Sequence, residues 1–223
     1  MKKFISIFLS CVLLLSLMCV LSSCGTDAKK IIGAWSADVD YTEAFNLGLR
    51  SAEGMEEMGE HFKAEEFILT TTITFRDDGT YTIAIDEASA EKAMESIEYI
   101  LYDGFVSILT EQYNQQLLPI SLEKYLEGMR NTIWSMVDSA LTDEVKKELL
   151  DGLVNPHTGN YKLEDGKLYM TKEVTDDFGE DHDTYELDGD TLTLLECFCQ
   201  IDEEQAELQR ALYPMIFTRI TAE

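Results

Sequence analysis

The clearest pattern along the chain is an alternation of apolar and polar residues in short segments. In residues 33–40, for example, Trp35, Ala37 and Val39 alternate with serine and aspartate. A period of two residues is typical of β-strands that bury one face and expose the other. The pattern predicts eight strands, at Gly33–Asp40, Glu66–Arg76, Thr80–Asp86, Asn160–Glu164, Lys167–Lys172, Asp183–Leu187, Thr191–Phe198 and Pro214–Ile220.

Three Asp-Gly pairs connect neighbouring predicted strands. They occur in TFRDDGTYTI at 74–83, YKLEDGKLYM at 161–170 and YELDGDTLTL at 185–194. Aspartate tolerates left-handed backbone geometry and glycine favours it, so the pair suits the tight turn of a hairpin. Eight short antiparallel strands predict a small barrel or a strongly curled sheet, because closure removes the exposed strand edges.

A long helical segment interrupts the strands between the third and the fourth. Within it, apolar residues recur every three or four positions, which marks one face of a long helix. Pro119 ends that helix, and Ser121 and Thr142 are suited to cap two further helices. The predicted fold class is therefore α+β, an eight-stranded antiparallel barrel or curled sheet with a large helical insert at 87–154.

A weaker helix is predicted between the first two strands, from Tyr41 to about Phe62. Asp40 and Glu43 have the spacing of a capping box at its start. The segment is rich in glycine and glutamate, so its amphipathic pattern is weak.

The N-terminal segment MKKFISIFLSCVLLLSLMCVLSSC has the composition of an export signal. Lys2 and Lys3 precede an apolar stretch at 4–21. That stretch is also nearly long enough to remain as an uncleaved membrane anchor. The residues LSSC that end at Cys24 resemble the lipobox of bacterial lipoproteins. This resemblance implies that the signal is removed and that Cys24 carries the lipid.

The lipobox resemblance also sets the expected domain organisation and location. It implies a signal peptide at 1–23, a lipidated tether at 24–30 and one domain at 31–223. The protein is expected on the extracytoplasmic face of the cell membrane, held there through its acylated cysteine. Which type of bacterial envelope this is stays open.

The charge of the chain narrows the range of partners. Asp and Glu number 43 against 17 Lys and Arg, for a formal net charge of −26. Binding of nucleic acid is disfavoured, because affinity for phosphate backbones rests on lysine and arginine. An anionic membrane surface is disfavoured for the same reason. Charged partners are expected to be basic proteins or divalent cations, although a strongly acidic surface also serves solubility alone.

The first predicted strand begins with Gly33-Ala34-Trp35, and the last, in YPMIFTRI, ends with Arg219. A Gly-x-Trp on a first strand resembles the N-terminal signature of lipocalin-like domains. The resemblance implies an eight-stranded up-and-down barrel in which Trp35 closes one end and Arg219 packs over the indole. The alternative is an ordinary core tryptophan and a surface arginine.

A small closed barrel holds one apolar ligand if its interior side chains leave room. The inward positions of the predicted strands are then the candidate ligand-binding residues. The same residues would equally describe a filled core. They are Phe67, Leu69, Ile73, Phe75, Tyr81, Ile83, Ile85, Leu168 and Met170.

Acidic residues crowd the predicted loop TDDFGEDHD between the fifth and sixth strands. Calcium prefers six to eight oxygen ligands from such a loop, although the spacing is not that of an EF-hand. A solvated acidic loop is the alternative. The candidate calcium ligands are Asp176, Asp177, Glu180, Asp181 and Asp183.

The cysteines and histidines indicate neither a disulfide framework nor a catalytic site. Cys197 and Cys199 are two apart on a predicted strand, too extended for an easy disulfide, so two unpaired thiols are expected. With His182 across the hairpin they form a weaker candidate for a soft metal. His61 and His157 occur in no motif that places a base beside a nucleophile.

Two functions remain as expectations, and neither is enzymatic. The first is a binding module for a small apolar or amphipathic molecule, without a required cofactor. The second is an interaction or structural protein of the cell envelope that holds a protein partner with its helical insert or acidic surface.

Overall fold

The computed structural model describes residues 27–51, 59–116, 118–198, 206–207 and 210–221. Eight antiparallel strands are hydrogen-bonded in chain order, and the last pairs with the first, so they form a closed barrel. The predicted α+β class with an eight-stranded barrel is confirmed. The strands are β1 (Gly33–Asp40), β2 (Ile68–Phe75), β3 (Thr80–Ile85), β4 (His157–Glu164), β5 (Lys167–Met170), β6 (His182–Asp188), β7 (Thr191–Phe198) and β8 (Met215–Arg219).

Among the described residues, four helices of ten residues or more accompany the barrel, and three of them form the predicted insert between β3 and β4. In the insert, the Ser121 and Thr142 side chains accept hydrogen bonds from the backbone N–H of Lys124 and Val145, as predicted for N-caps. Asp86 caps the first helix of the insert in the same way. The helices are α1 (Thr42–Ser51), α2 (Glu87–Gln115), α3 (Leu122–Ala140) and α4 (Asp143–Val154).

The prediction that the first helix continues to about Phe62 was wrong. Helix α1 is described as far as Ser51, and Phe62 follows a turn at 59–61. Asn46 explains the reversal, because its side chain bonds both the N–H (2.8 Å) and the C=O (3.0 Å) of Ala64. The chain at Ala64 therefore lies beside α1, and residues 52–58 lie outside the described part of the chain.

Strand β4 begins at His157, three residues earlier than the alternation predicted. His157, Thr158 and Gly159 pair with β3, although their sequence is polar and carries no apolar alternation. A Cβ at position 159 would lie 2.1 Å from the carbonyl oxygen of Thr171, so the close backbone approach requires glycine. This pairing depends on a distant segment, which is why the local pattern did not reveal it.

The interior of the barrel is filled by one packed hydrophobic cluster, here called the barrel core. Its buried members come from β1, β2, β3, β5, β7, β8 and the segment that precedes β1. Large side chains at these positions fill the width of a small barrel. They are Ile31, Trp35, Val39, Ile73, Phe75, Tyr81, Leu168, Leu192, Leu194 and Phe217.

A second cluster, here called the mouth core, lies at the end of the barrel where β1 reaches Asp40. Leu69 pairs with Val39 at that end of the β1–β2 ladder. It packs with Ala93 and Ile100 of α2 and with Phe62. The helical insert therefore covers this end of the barrel and excludes water from it.

The contact between Gly104 of α2 and Phe62 predicts that replacing this helical glycine by alanine destabilises the protein, which is the opposite of the usual effect. A Cβ at Gly104 would lie 2.1 Å from the Phe62 ring, which is itself packed edge-on against Phe105. Gly104→Ala should lower the free energy of unfolding by about 1–3 kcal/mol, despite the better helix propensity of alanine. Urea unfolding followed by circular dichroism measures this.

The matched control is Gly128→Ala in α3, where nothing lies within 4 Å of the added Cβ. That substitution should raise the free energy of unfolding by about 0.5–1 kcal/mol. Equal stabilisation by the two substitutions would contradict the packing of Phe62 against α2.

Candidate functional site

The Gly33 end of the barrel is built around Trp35, which is 0% exposed. Its indole Nε1 donates a hydrogen bond to the carbonyl oxygen of Ile31 at 2.7 Å. The Arg219 guanidinium lies over the indole, with its central carbon 4.0 Å from the ring centroid. The predicted stacking contact is present, and its geometry is that of a cation–π interaction.

Gly33 is required by this contact in two ways. Its φ of +129° lies outside the range that other residues adopt readily. In addition, a Cβ at this position would lie 2.8 Å from Arg219 Nη1. The glycine therefore leaves the space through which the guanidinium reaches the indole.

The Arg219 guanidinium also holds the segment that precedes β1. Nη1 donates to the carbonyl oxygen of Ile32 at 2.8 Å, and Nη2 donates to that of Lys30. Nε pairs with Asp190 Oδ1 at 3.2 Å. One side chain of β8 thus contacts the N-terminal segment, β1 and the turn before β7.

The nine predicted ligand-binding residues divide between the two cores. Those of the barrel core fill its interior, and those of the mouth core contact the insert. The interior positions are thus occupied by packed side chains. Ile73, Phe75, Tyr81 and Leu168 are buried in the barrel core with Ile83 and Met170 against it, and Phe67 and Leu69 are buried in the mouth core with Ile85 against it.

The five predicted calcium ligands do not form one set. Asp176, Asp177, Glu180 and Asp181 are exposed in the loop before β6, whereas Asp183 is 5% exposed inside the barrel. The alternation of β6 places Asp183 on the inner face. Within the described part of the chain, no three His, Cys, Asp or Glu side chains are arranged to hold a metal ion.

Asp183 is a buried carboxyl group in contact with tyrosines. The Tyr213 hydroxyl donates a hydrogen bond to Asp183 Oδ1 at 2.8 Å. Burial raises the pKa of Asp183 to about 6, and the hydrogen bond from Tyr213 and the charge of His182 oppose this only in part. Burial, followed by the charge of Asp183, raises the pKa of Tyr81 to about 12.

The expectation of unpaired thiols was wrong for Cys197, which is disulfide-bonded. Its partner lies outside the described residues, as does Cys199. The extended spacing of Cys197 and Cys199 within a strand disfavours a bond between these two residues, but it does not bear on a bond to a distant cysteine. Cys197 is not available as a thiolate for the soft-metal site proposed with His182.

A groove of about 700 Å³ lies on the outer wall of the barrel, across β4 to β7. Three rings from three neighbouring strands form a row along it. The centroids of Tyr169 and His182 are 5.3 Å apart, and those of His182 and Phe198 are 5.1 Å apart and nearly parallel. The lining residues are Lys162, Lys167, Tyr169, Gly179, Glu180, Asp181, His182, Cys197 and Phe198.

Lysine side chains flank the row of rings. Lys162 Nζ lies 4.4 Å from the centroid of Tyr169 and 5.2 Å from that of Phe178. It also pairs with Glu164 at 2.9 Å. The groove therefore combines aromatic faces with cations, in a chain where acids greatly outnumber bases.

The groove was not predicted from the sequence, although the pairing of its strands carries a signal for it. His182 pairs with Phe198, and Leu168 pairs with Asp183, which places Tyr169 beside His182. All three rings occupy outward positions, where a strand of this type normally carries polar residues. Their alignment depends on strand register, so no single segment displays it.

A histidine in the segment after α1 contacts a serine and a glutamate of α2. His61 Nδ1 lies 2.9 Å from Ser107 Oγ, and His61 Nε2 lies 3.4 Å from Glu111. Ser107 is exposed in the middle of α2, where backbone N–H groups bond within the helix and offer no oxyanion donors. The contact instead ties the segment after α1 to α2.

Comparisons with models of protein families, with curated proteins and with solved structures find no match to this chain. The class that the structure defines is thus an α+β protein with a closed antiparallel barrel. No helix in the described ranges is both long and apolar enough to cross a membrane. Cys24 lies outside the described residues, so its lipidation stays a prediction.

The burial of Asp183 predicts how the free energy of unfolding depends on pH. In the folded protein its pKa is about 6, against an ordinary value of 3.8. Between these values the folded state binds the proton and the unfolded state does not, so stability falls as pH rises. The free energy of unfolding of the wild type relative to Asp183→Asn should therefore fall by about 2 kcal/mol from pH 4 to pH 6.

The matched control is Asp78→Asn, because hydrogen bonds from Thr80 lower the pKa of Asp78. Its contribution to stability is therefore present throughout pH 4 to 6 and is lost only as pH falls below 3.8, so the difference for Asp78→Asn should stay nearly constant over this range. Urea unfolding of the three proteins across this range gives both differences. If the difference in free energy of unfolding between the wild type and Asp183→Asn does not change with pH, the raised pKa of Asp183 is contradicted.

Proposed function

We propose that this protein is an extracytoplasmic lipoprotein whose lipocalin-like barrel binds a small amphipathic ligand without catalysis. The ligand has a flat apolar part and an anionic group, and it occupies the groove on the outer wall. The observation that carries this proposal is the row formed by Tyr169, His182 and Phe198, with Lys162 over one end.

The row of rings supplies the apolar part of the site. Phe198 is 47% exposed and Phe178 is 39% exposed, so aromatic surface faces solvent beside the groove. A flat ligand stacked there would bury this surface and gain from the quadrupoles of the rings. The groove volume of about 700 Å³ lies within the range of sites for small molecules.

The lysines supply the polar part of the site. Lys162 and Lys167 line the groove and can pair with a carboxylate, sulfate or phosphate group. Glu180 and Asp181 line the same groove, so the ligand would also carry a hydrogen-bond donor, such as a hydroxyl group. A ligand that carries both an anionic group and a hydrogen-bond donor would match this lining.

The outer groove is favoured over the barrel interior because of how the interior is packed. Trp35, Phe75 and Phe217 are among the largest fully buried side chains, and they occupy the barrel core. A ligand inside would need to displace them at the cost of their burial. The outer groove needs no such rearrangement.

The proposed location of the protein follows from its predicted lipidated tether at 24–30. The lipobox resemblance at Cys24 supports a lipid anchor, and the net charge of −26 supports anchoring by acyl chains alone. Since one acyl chain binds a membrane only weakly, the two chains of a diacylglycerol thioether support stable anchoring. The binding groove would then face the space outside the membrane.

The proposal is tested by equilibrium dialysis with naphthalene-1-sulfonate, which combines a flat ring system with an anion. The full chain is held in phosphatidylcholine vesicles, and empty vesicles give the blank. Tyr169→Ala and Lys162→Ala should each weaken binding about tenfold, since each removes one contact of the site.

The matched controls lie on the helical insert. Tyr99→Ala removes an exposed tyrosine from α2, and Lys124→Ala removes an exposed lysine from α3. Neither should change binding of the probe. Absence of saturable binding to the wild type, or equal weakening by the control variants, would overturn the proposal.

A further inference from the structure

The seam between β1 and β8 is paired along only part of its length. Strand β1 pairs with β2 at all eight of its residues, from Gly33 to Asp40. Against β8, the paired residues are Trp35 with Arg219 and Ser36 with Thr218. Beyond Ser36 the two strands diverge, while β8 continues to pair with β7.

The divergence opens a cleft of about 370 Å³ between β1 and the residues before and within β8. One wall is the edge of β1, and the opposite wall is largely apolar. The lining residues are Ala37, Asp38, Val39, Asp40, Glu43, Ala211, Leu212, Tyr213, Pro214, Met215 and Ile216.

The backbone of β1 directs hydrogen-bonding groups into this cleft. Ala34 accepts from the N–H of Ile220, next to β8, whereas the N–H of Tyr41 bonds Phe67, on the β2 side. Backbone groups of alternate residues point to opposite sides of a strand in an antiparallel ladder. Asp38 therefore directs its N–H and C=O toward the cleft, beyond the part of the edge that β8 pairs.

The charge of the cleft is of one sign. Asp38, Asp40 and Glu43 line it, and its lining includes no lysine or arginine from the described part of the chain. The apolar wall includes Met215 and Ile216, of which Ile216 is 61% exposed. An open strand edge, three carboxylates and an apolar wall together define the chemistry of an occupant.

We propose that this cleft binds an extended basic segment of a partner protein, which adds as a strand to the edge of β1. Its backbone pairs with Asp38, its lysine or arginine side chains meet the carboxylates, and its apolar side chains pack on residues 212–216. This is the strand-addition mode of peptide recognition. The surface is separate from the groove on β4 to β7, so the inference goes beyond the proposed function.

Charge identifies the partner as basic and disfavours a second copy of the chain. A second copy would bring its own Asp38 and Asp40 to the same edge, and like charges opposed across strands are destabilising. A small cation would satisfy the carboxylates but would leave the N–H of Asp38 without an acceptor. A peptide satisfies both.

The test uses a fluorescein-labelled hexapeptide that alternates lysine and valine. Its binding to the full chain in phosphatidylcholine vesicles is followed by fluorescence anisotropy. The expected result is saturable binding that weakens about tenfold or more for two altered peptides, one with glutamate for lysine and one with a methylated backbone. The first removes the charge match, and the second removes the N–H groups that pair with β1.

Variants of the protein locate the site. Asp38→Asn combined with Glu43→Gln should weaken binding, while Asp40 is kept because it accepts from the N–H of Thr42 at the start of α1. Glu91→Gln combined with Glu95→Gln, on exposed positions of α2, is the matched control and should have no effect. Tyr169→Ala in the outer groove should also leave peptide binding unchanged.

Three outcomes would overturn the inference. Equal binding of the methylated peptide would show that charge alone holds it, as for a small cation. Equal weakening by the control pair on α2 would place the peptide elsewhere on the acidic surface. Self-association of the chain that the peptide does not reverse, seen by analytical ultracentrifugation in detergent, would assign the edge to a second copy.

Discussion

The contact of Arg219 with Trp35 is the interaction on which the closure of the barrel depends. An open eight-stranded sheet would expose one edge of β1 and one of β8, and only pairing of these two strands removes both. Arg219 stacks on the indole 4.0 Å away and also bonds the carbonyl groups of residues 30 and 32. Gly33, which has no side chain, makes the approach sterically allowed.

The pairing of β1 with β8 holds the barrel closed at the Gly33 end, and a different interaction stabilises the other end. There β1 and β8 diverge, and the mouth core packs α2 against Leu69 and Phe67 instead. The helical insert therefore closes by hydrophobic burial an end that strand pairing leaves open. The barrel core fills the interior, and the groove and the cleft lie outside it, on the outer wall and at the seam between β1 and β8.

Features set by local sequence were predictable, and features set by strand register were not. The alternation in residues 33–40, the Asp-Gly turns and the caps at Ser121 and Thr142 each lie within a few residues. The early start of β4, the contact of Ala64 with Asn46 of α1 and the row of rings in the groove all depend on contacts between distant segments. Six of the nine candidate lining residues belong to the barrel core, and periodicity does not distinguish a lined cavity from a filled core.

The central claim is that the guanidinium and the indole act together to close the seam. A double-mutant cycle with Trp35→Leu and Arg219→Met tests it most directly, with the free energy of unfolding of all four proteins measured in urea. The account predicts that the two substitutions together cost less than their sum, by about 1 kcal/mol or more. Additivity to within about 0.5 kcal/mol would contradict it, because the two side chains would then stabilise the barrel independently.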